Sequence, residues 1–194
     1  MLLLHQPEEV SLSKCFCQWR NEPLSYAHSG GVESPPRQGF IIDLHRIRLG
    51  TGAEHYKSAC AALDAWEMFP PWAIVHPIDS PQTPGTLVAM VTRICGLWWV
   101  NPCRILRRCD SESTHGFVYG TLHEHAECGE EMFVIEKHLD GSVWYVIRAF
   151  SRPQHWMAWI GFPLARWWQC RFVRDSQAGM VKKVGETPSL ISSP

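Results

Sequence analysis

The sequence predicts an α+β protein of helix-grip architecture, in which a curved antiparallel sheet of about seven strands packs on a long C-terminal helix. The elements follow the order strand, helix, six antiparallel strands and terminal helix. An antiparallel sheet needs its apolar face covered, and the terminal helix carries a wide aromatic stripe that suits this role. Ten tryptophans in 194 residues supply large rings for such an interface. A curved sheet that grips a helix leaves a gap, where we expect an apolar ligand pocket.

The first part of the chain combines an arm, a strand and a helix. Residues 1–23 lack sustained periodicity and are expected to be an irregular or disordered arm, with irregular sequence continuing to about residue 38. A single domain is expected over 24–182, followed by a flexible tail over 183–194. Alternation between two glycines predicts a strand over 39–50, and an alanine-rich apolar stripe predicts a helix over 53–69. Two prolines, Pro70 and Pro71, end that helix.

The part of the chain after Pro71 is predicted to form strands and turns, followed by a helix. Strands are predicted over 72–77, 86–94, 101–109, 116–122, 130–138 and 142–151, with a tight hairpin turn at 139–141. The terminal helix is predicted from an apolar stripe, with Arg166, Gln169 and Arg174 assigned to its other faces. The stripe consists of Ile160, Leu164, Trp167, Trp168 and Phe172.

Composition excludes several classes of function. The net charge of −1 and the absence of like-charge runs argue against nucleic acid as a partner. The eight cysteines have irregular spacing and are read as mostly reduced thiols. No signal peptide and no apolar run of roughly 18 residues is found, so we expect a cytoplasmic protein without stable membrane insertion. Docking on a membrane surface through Arg166, Arg171, Arg174, Lys182 and Lys183 is a minor alternative.

The stretch GTLHEHAECGEEMF, residues 120–133, concentrates the residues suited to chemistry. His123, His125 and Cys128, with Glu130 beyond, are ligand types that zinc accepts. Their spacing fits no standard zinc signature, so a solvated turn is favoured and no metal is expected. The sequence has no P-loop and no complete dinucleotide fingerprint, and we expect no cofactor.

His125 and Glu131 are the better candidates for acid/base catalysis. A histidine exchanges protons near neutral pH, and a carboxylate at the rim of an apolar pocket can hold its tautomer or act as a base. Alternation places Glu131 and Phe133 on one face of a strand and Glu130 on the other. An inward carboxylate must be paired, and a structural salt bridge to Arg104 or Arg152 is the favoured interpretation, with ligand binding or catalysis as the alternatives.

Further candidates for ligand contact are hydroxyl and indole groups. Tyr119, Thr121 and Tyr145 offer hydroxyls, although each residue type is also common in strands for structural reasons. The tryptophans Trp144, Trp159, Trp167 and Trp168 are more often core residues, although a pocket of this fold would be lined by the same side chains. The predicted ligand-binding set is Arg104, Tyr119, Thr121, Trp144, Arg152, Trp167 and Trp168.

Several blocks of the sequence resemble the DUF1990 (UPF0548) family over about residues 24–178. They are LSYAHSGGV, RLGTGAEHYKSACAALDAWEMF, GLWWVNPCRI, FVYGTLHEHAECGEEMFVIEKHLDGSVWYVIRAFSRP and FPLARWWQCRFVRDS. The resemblance implies no particular activity, and it implies a distant relation to the lipid-binding and polyketide-cyclase-like proteins of the Bet v 1/START-like (SRPBCC) superfamily. Family motif positions are matched by Asn101, Pro102, Arg104, Gly120, Thr121, Leu122, His125, Gly129, Glu130, Glu131, Ser151, Arg152 and Pro153. The chain departs from the family at His123 and Glu124, where proline and glycine are usual.

Three hypotheses of function follow. The first is a non-enzymatic binder of a small apolar or amphipathic molecule, with His125, Glu131 and Arg152 at the polar end of the pocket. The second is a cyclase- or hydrolase-like enzyme in which His125 and Glu131 transfer protons through a hydrogen-bond relay. The third is a structural or interaction module with a filled core. The sequence favours the first and identifies no protein partner.

Overall fold

The structure is a computed structural model that describes residues 1–27, 30–34, 39–154 and 162–185. Within these residues the strands are β1 (Leu2–Leu3), β2 (Ile41–Thr51), β3 (Ala73–His76), β4 (Leu87–Ile94), β5 (Leu97–Arg108), β6 (Thr114–Thr121), β7 (Glu127–Lys137) and β8 (Ser142–Pro153). The helices are α1 (Glu9–Trp19), α2 (Ala53–Asp64) and α3 (Phe162–Gly185). The strands form one antiparallel sheet in the order β2-β8-β7-β6-β5-β4-β3, and β1 pairs with β5. The predicted α+β helix-grip fold is confirmed.

The inner face of the sheet carries the main core. Alternation along β7 turns Phe133 and Ile135 inward, where both are fully buried with Phe117 of β6 and Tyr145 of β8. Helices α2 and α3 cover this face, and Met180 of α3 is part of the same core. Register shifts within β2 and β5 interrupt the pairing, and bulges of this kind increase the bend of a sheet.

The outer face is covered by the N-terminal residues, and the expectation of an irregular or disordered arm over 1–23 is wrong. Helix α1 buries Leu12 and Trp19 against the outer side of β4 and β5, and Cys15 and Phe16 pack beside them. These four residues have i, i+3, i+4 and i+7 spacing, which gives one apolar helical stripe. A second outer cluster joins Val32 to β6, β7 and β8. The sheet therefore has apolar cores on both faces.

Several element boundaries differ from the prediction, most of all the end of α2 and the start of β5. Helix α2 ends at Asp64, before the prolines, and the chain turns at Trp66, whose φ of 58° lies in the left-handed region. Strand β5 begins at Leu97, because Cys95 and Gly96 both have positive φ and close a tight hairpin with β4. Ile160 of the predicted stripe and residues 186–194 of the predicted tail lie outside the described residues. Among the residues described, no helix is long and apolar enough to cross a membrane.

Candidate functional site

A cavity of about 460 Å³ lies between the inner face of the sheet and helix α3. Its wall is mainly apolar and aromatic, with Phe69, Trp72, Trp168 and Phe172 on the helix side. Trp72 meets Trp168 edge-on with ring centroids 5.3 Å apart, and Phe69 meets Phe172 at the same distance. The volume falls within the ~300–1,000 Å³ range of small-molecule sites.

Glu131 lines this cavity and has an uncharged partner. The hydroxyl of Tyr119 donates a hydrogen bond to Glu131 Oε2 at 2.5 Å. The pKa of Glu131 is raised to about 7, mainly by burial. The Tyr119 hydrogen bond opposes this rise, and the nearby carboxylates Glu127 and Asp43 contribute to it. The side chain is therefore protonated in a large fraction of molecules at neutral pH.

The predicted salt bridge of Glu131 with Arg104 or Arg152 is wrong. Arg104 donates to the carbonyl oxygens of Trp19 and Arg20 at the end of α1, at 3.0 and 3.1 Å. The Arg152 guanidinium lies 4.8 Å from the centre of the Phe40 ring. Both arginines point to the outer face, since their inward neighbours on the strands are odd-numbered residues. Neither lines the cavity, so the ligand contacts predicted for them are also wrong here.

A cluster that the sequence analysis missed forms the polar end of the cavity. Arg166 donates to both carboxylate oxygens of Asp43 at 2.5 Å, which ties α3 to β2. Gln169 donates to the carboxylate of Glu127, and burial raises the pKa of Glu127. The assignment of Arg166 and Gln169 to helix faces away from the pocket is wrong, because both line the cavity.

His125 also lines the cavity but makes no relay with Glu131. Its Nδ1 accepts a hydrogen bond from the backbone N–H of Glu127 at 2.9 Å, which leaves the ring proton on Nε2. Burial lowers the pKa of His125 to about 3, so the imidazole is neutral. Within the described ranges, no hydrogen bond joins His125 to a glutamate side chain. The arrangement suits a neutral donor in the wall better than a base.

The remaining predicted ligand contacts divide into two groups. Tyr119, Thr121 and Trp168 line the cavity, although the Thr121 hydroxyl is already bonded to Ser25 Oγ at 2.6 Å and to the Gly129 backbone. Trp144 and Trp167 do not line it, and the contacts predicted for them are wrong.

Trp144 and Trp167 lie on other surfaces of the protein. Trp144 lies on the outer face under the Arg46 guanidinium, because its position on β8 alternates with the inward Tyr145. Trp167 is 52% exposed on α3. Trp159 lies outside the described residues.

The residues considered for a metal site serve other contacts. His123 is exposed, and the thiol of Cys128 donates to the Ser25 carbonyl at 3.3 Å. The outward carboxylate of Glu130 accepts hydrogen bonds from the Tyr26 hydroxyl and from the backbone N–H groups of Gly30 and Val32. No group of three His, Cys, Asp or Glu residues in the described part of the chain is arranged to hold a metal ion.

Signals for part of the missed cluster are present in the sequence. Glu127 has the same parity as Glu131 on β7, so alternation places it on the inner face. Asp43 lies on the strand predicted over 39–50, but its pairing with Arg166 joins residues 123 positions apart. Such a pair is set by how α3 crosses the sheet, which local patterns do not specify.

Comparison with known proteins agrees with this architecture. A model of the DUF1990 family, described as a domain of unknown function, matches residues 25–179. A UPF0548 protein of Dictyostelium discoideum is 30% identical over 98% of this chain and 99% of its own length. A UPF0548 protein of Arabidopsis thaliana is 32% identical over 76% of this chain and 75% of its own length.

Solved structures show the same fold at low sequence identity. A hypothetical protein from Helicobacter pylori has a TM-score of 0.55 and 10% identity, covering 80% of this chain and 94% of that one. The ZhuI aromatase/cyclase from Streptomyces sp. R1128 has a TM-score of 0.51 and 10% identity, covering 76% and 94%. At these identities the likeness concerns the fold alone. On the family match and the two UPF0548 relatives, the chain belongs to the DUF1990 family.

Proposed function

We propose that this protein binds a small amphipathic molecule in the cavity between the sheet and α3. The apolar part of the ligand lies among the aromatic side chains, and its polar part meets Glu127 and Glu131. The observation that carries the proposal is Glu131 itself, a carboxyl group on the wall of an apolar cavity whose hydrogen-bond partner is the Tyr119 hydroxyl. Burying a carboxyl group costs free energy unless its polar atoms form hydrogen bonds, and a polar group of the ligand supplies such a bond.

The shape of the site supports ligand binding over a filled core. Aromatic rings from the segment after α2 and from α3 border the space, with Trp72 edge-on to Trp168 and Phe69 tilted against Phe172, and they present an apolar surface to it. Pockets for small molecules combine this kind of lining with a few convergent polar groups. A structural module with a filled core would leave no cavity of this volume between the sheet and α3.

Native mass spectrometry of the full chain purified from cells, followed by organic extraction, tests the proposal. We expect a bound molecule at up to one equivalent, released on denaturation. The neutral dye Nile red provides a second readout, because its fluorescence increases in an apolar site. Ala149→Phe places a ring into the cavity wall and should abolish dye binding, whereas Ala61→Phe, on the exposed side of α2, should not. Equal dye binding by both folded variants would contradict the proposal.

A second candidate function is a cyclase- or hydrolase-like enzyme that uses Glu131 and His125 for acid/base chemistry. It is favoured by the pKa of about 7 for Glu131, since a group that titrates near neutrality both accepts and donates protons. The neutral His125 would then orient a polar ligand group through Nε2–H. Incubation of the extracted ligand with the protein, analysed by liquid chromatography and mass spectrometry, should give a new product that Glu131→Gln fails to form. An unchanged ligand would leave binding as the function.

A further inference from the structure

The charged groups that line the cavity are unequal in number. Of the four acidic residues in the wall, Glu130 turns its carboxylate to the outer face. Among the residues described, the carboxyl groups of Asp43, Glu127 and Glu131 therefore meet a single guanidinium, that of Arg166. Arg166 directs both of its terminal nitrogens to Asp43, so within the described part of the chain Glu127 and Glu131 have only neutral side chains as hydrogen-bond partners. The polar end therefore offers two carboxyl groups that are not hydrogen-bonded to a cation, although the nearby Arg166 charge lowers the pKa of Glu127.

A second observation points to a ligand independently of these acids. Thr92 of β4 lies in the cavity wall and is 8% exposed, and its hydroxyl has no hydrogen-bond partner among the described residues. The indole N–H groups of Trp99 and Trp168, also in the wall, find no partner within the same ranges. Buried polar atoms are satisfied in most proteins, so the polar atoms of these three side chains are available to a molecule that occupies the cavity.

We propose that the ligand is an amphipathic cation, an amine with an apolar body, whose ammonium group binds between Glu127 and Glu131. The inference rests on the proposed function and names the class of ligand for that site. An ammonium group supplies a hydrogen-bonded cation for these two carboxyls, and its N–H groups match their acceptor oxygens. A fatty acid or a phosphate ester would instead place a further negative charge beside three carboxyls, which is unfavourable in a site of low dielectric constant.

Binding of the amine is coupled to the release of a proton. Burial favours the protonated form of Glu131 in the empty cavity, and an adjacent ammonium favours the ionised form, so the carboxylic acid releases its proton to solvent as the amine binds. The titratable groups around Glu131 are Asp43 and His45 on β2, Cys103 on β5, Tyr119 on β6, Glu127 on β7 and Tyr145 on β8, with Arg166 on α3 beside Asp43. Glu127 is expected to add to the proton release, because burial raises its pKa as well.

Isothermal titration of the full chain with decylamine, decanol and decanoate tests the inference, since the three probes share one alkyl chain. At about pH 8 we expect decylamine to bind at least about tenfold more tightly than decanol, and decanoate to bind most weakly. Titrations in two buffers with different heats of ionisation should show proton release on decylamine binding. As pH rises from about 5.5 to 8.5, the decylamine affinity should increase about 30-fold if binding returns the Glu131 pKa to its ordinary range.

Variants distinguish an effect of the two cavity carboxyls from an effect of the overall charge of the protein. Glu131→Gln and Glu127→Gln should each reduce the preference for decylamine over decanol several-fold, and Glu131→Gln should also remove most of the pH dependence. Glu136→Gln removes a carboxylate from the outer face of the same strand, where Glu136 pairs with Arg46, and should change neither property. Using two site variants keeps the test decisive if one of them fails to fold.

The outcomes are distinguishable. Decanoate binding as tightly as decylamine, or equal binding of decylamine and decanol at every pH, would overturn the choice of a cation and leave the binding cavity standing. Absence of binding by all three probes and by Nile red would refute both the cavity function and the inference drawn from it.

Discussion

Replacing Glu131 by glutamine should make the stability of the protein less dependent on pH. The folded-state pKa of Glu131 is about 7, whereas its ordinary value is 4.5, so the folded protein holds a proton that the unfolded chain loses at lower pH. The stabilising contribution of this proton is complete below about pH 4.5 and is lost as the pH rises through 7. At about 1.4 kcal/mol for each pKa unit, the full loss is about 3 kcal/mol, most of it between about pH 5 and 8.

Urea unfolding followed by tryptophan fluorescence measures this loss directly. Between pH 5 and 8, the free energy of unfolding of the wild type should fall, and Glu131 should account for about 2 to 3 kcal/mol of this decrease. The Glu131→Gln variant should lack that part of the decrease. Some decrease should persist in the variant, because burial also raises the pKa of Glu127. The surface variant Glu136→Gln is the matched control and should follow the wild type. Identical pH profiles for Glu131→Gln and wild type would refute the assignment of a buried, protonated carboxyl at this position.

Three further predictions concern stability. Gly129→Ala should destabilise the protein by about 3 kcal/mol in urea unfolding, because an added Cβ would lie 1.9 Å from the Phe150 carbonyl oxygen; a neutral result would contradict the close strand approach. Glu130→Ala should cost about 3 kcal/mol and speed hydrogen exchange in residues 30–32, since three donors lose their acceptor; unchanged exchange there would count against it. Arg166→Met should lower the free energy of unfolding by about 1 to 2 kcal/mol and speed hydrogen exchange in the first turns of α3, because Asp43 loses its partner. Hydrogen exchange in α3 as slow as in the wild type would show that this ion pair does not hold the helix.

Alternation along strands predicted the inner and outer residues of the sheet where it was applied. It placed Glu131 and Phe133 on one face of β7 and Glu130 on the other, and the structure has this arrangement. Applied to β5 and β8, the same rule excludes Arg104 and Arg152 from the cavity. A buried carboxylate needs a partner, but strand parity turns both arginines outward, and the Tyr119 hydroxyl serves as the partner of Glu131 instead.

Other features depended on contacts distant in sequence. Helix α1 is readable from the spacing of Leu12 and Trp19, but its polar neighbours and the prolines around it mask the stripe. The tie between Asp43 and Arg166 joins the first long strand to the last helix, and no local pattern specifies which carboxylate an arginine will meet. Local periodicity therefore predicts the elements and their faces, whereas the polar end of the cavity is set by how α3 crosses the sheet.

The covering of the outer face determines which wall of the cavity can yield. Helix α1 and the segment around Val32 pack against the outside of the strands, so the sheet is held between two apolar layers and resists flattening. The opposite wall is attached to the sheet near the polar end by Asp43 with Arg166 and by Glu127 with Gln169. These attachments are polar and border the cavity, so a polar ligand group can compete for them. We therefore expect α3, rather than the sheet, to move when a molecule enters the cavity.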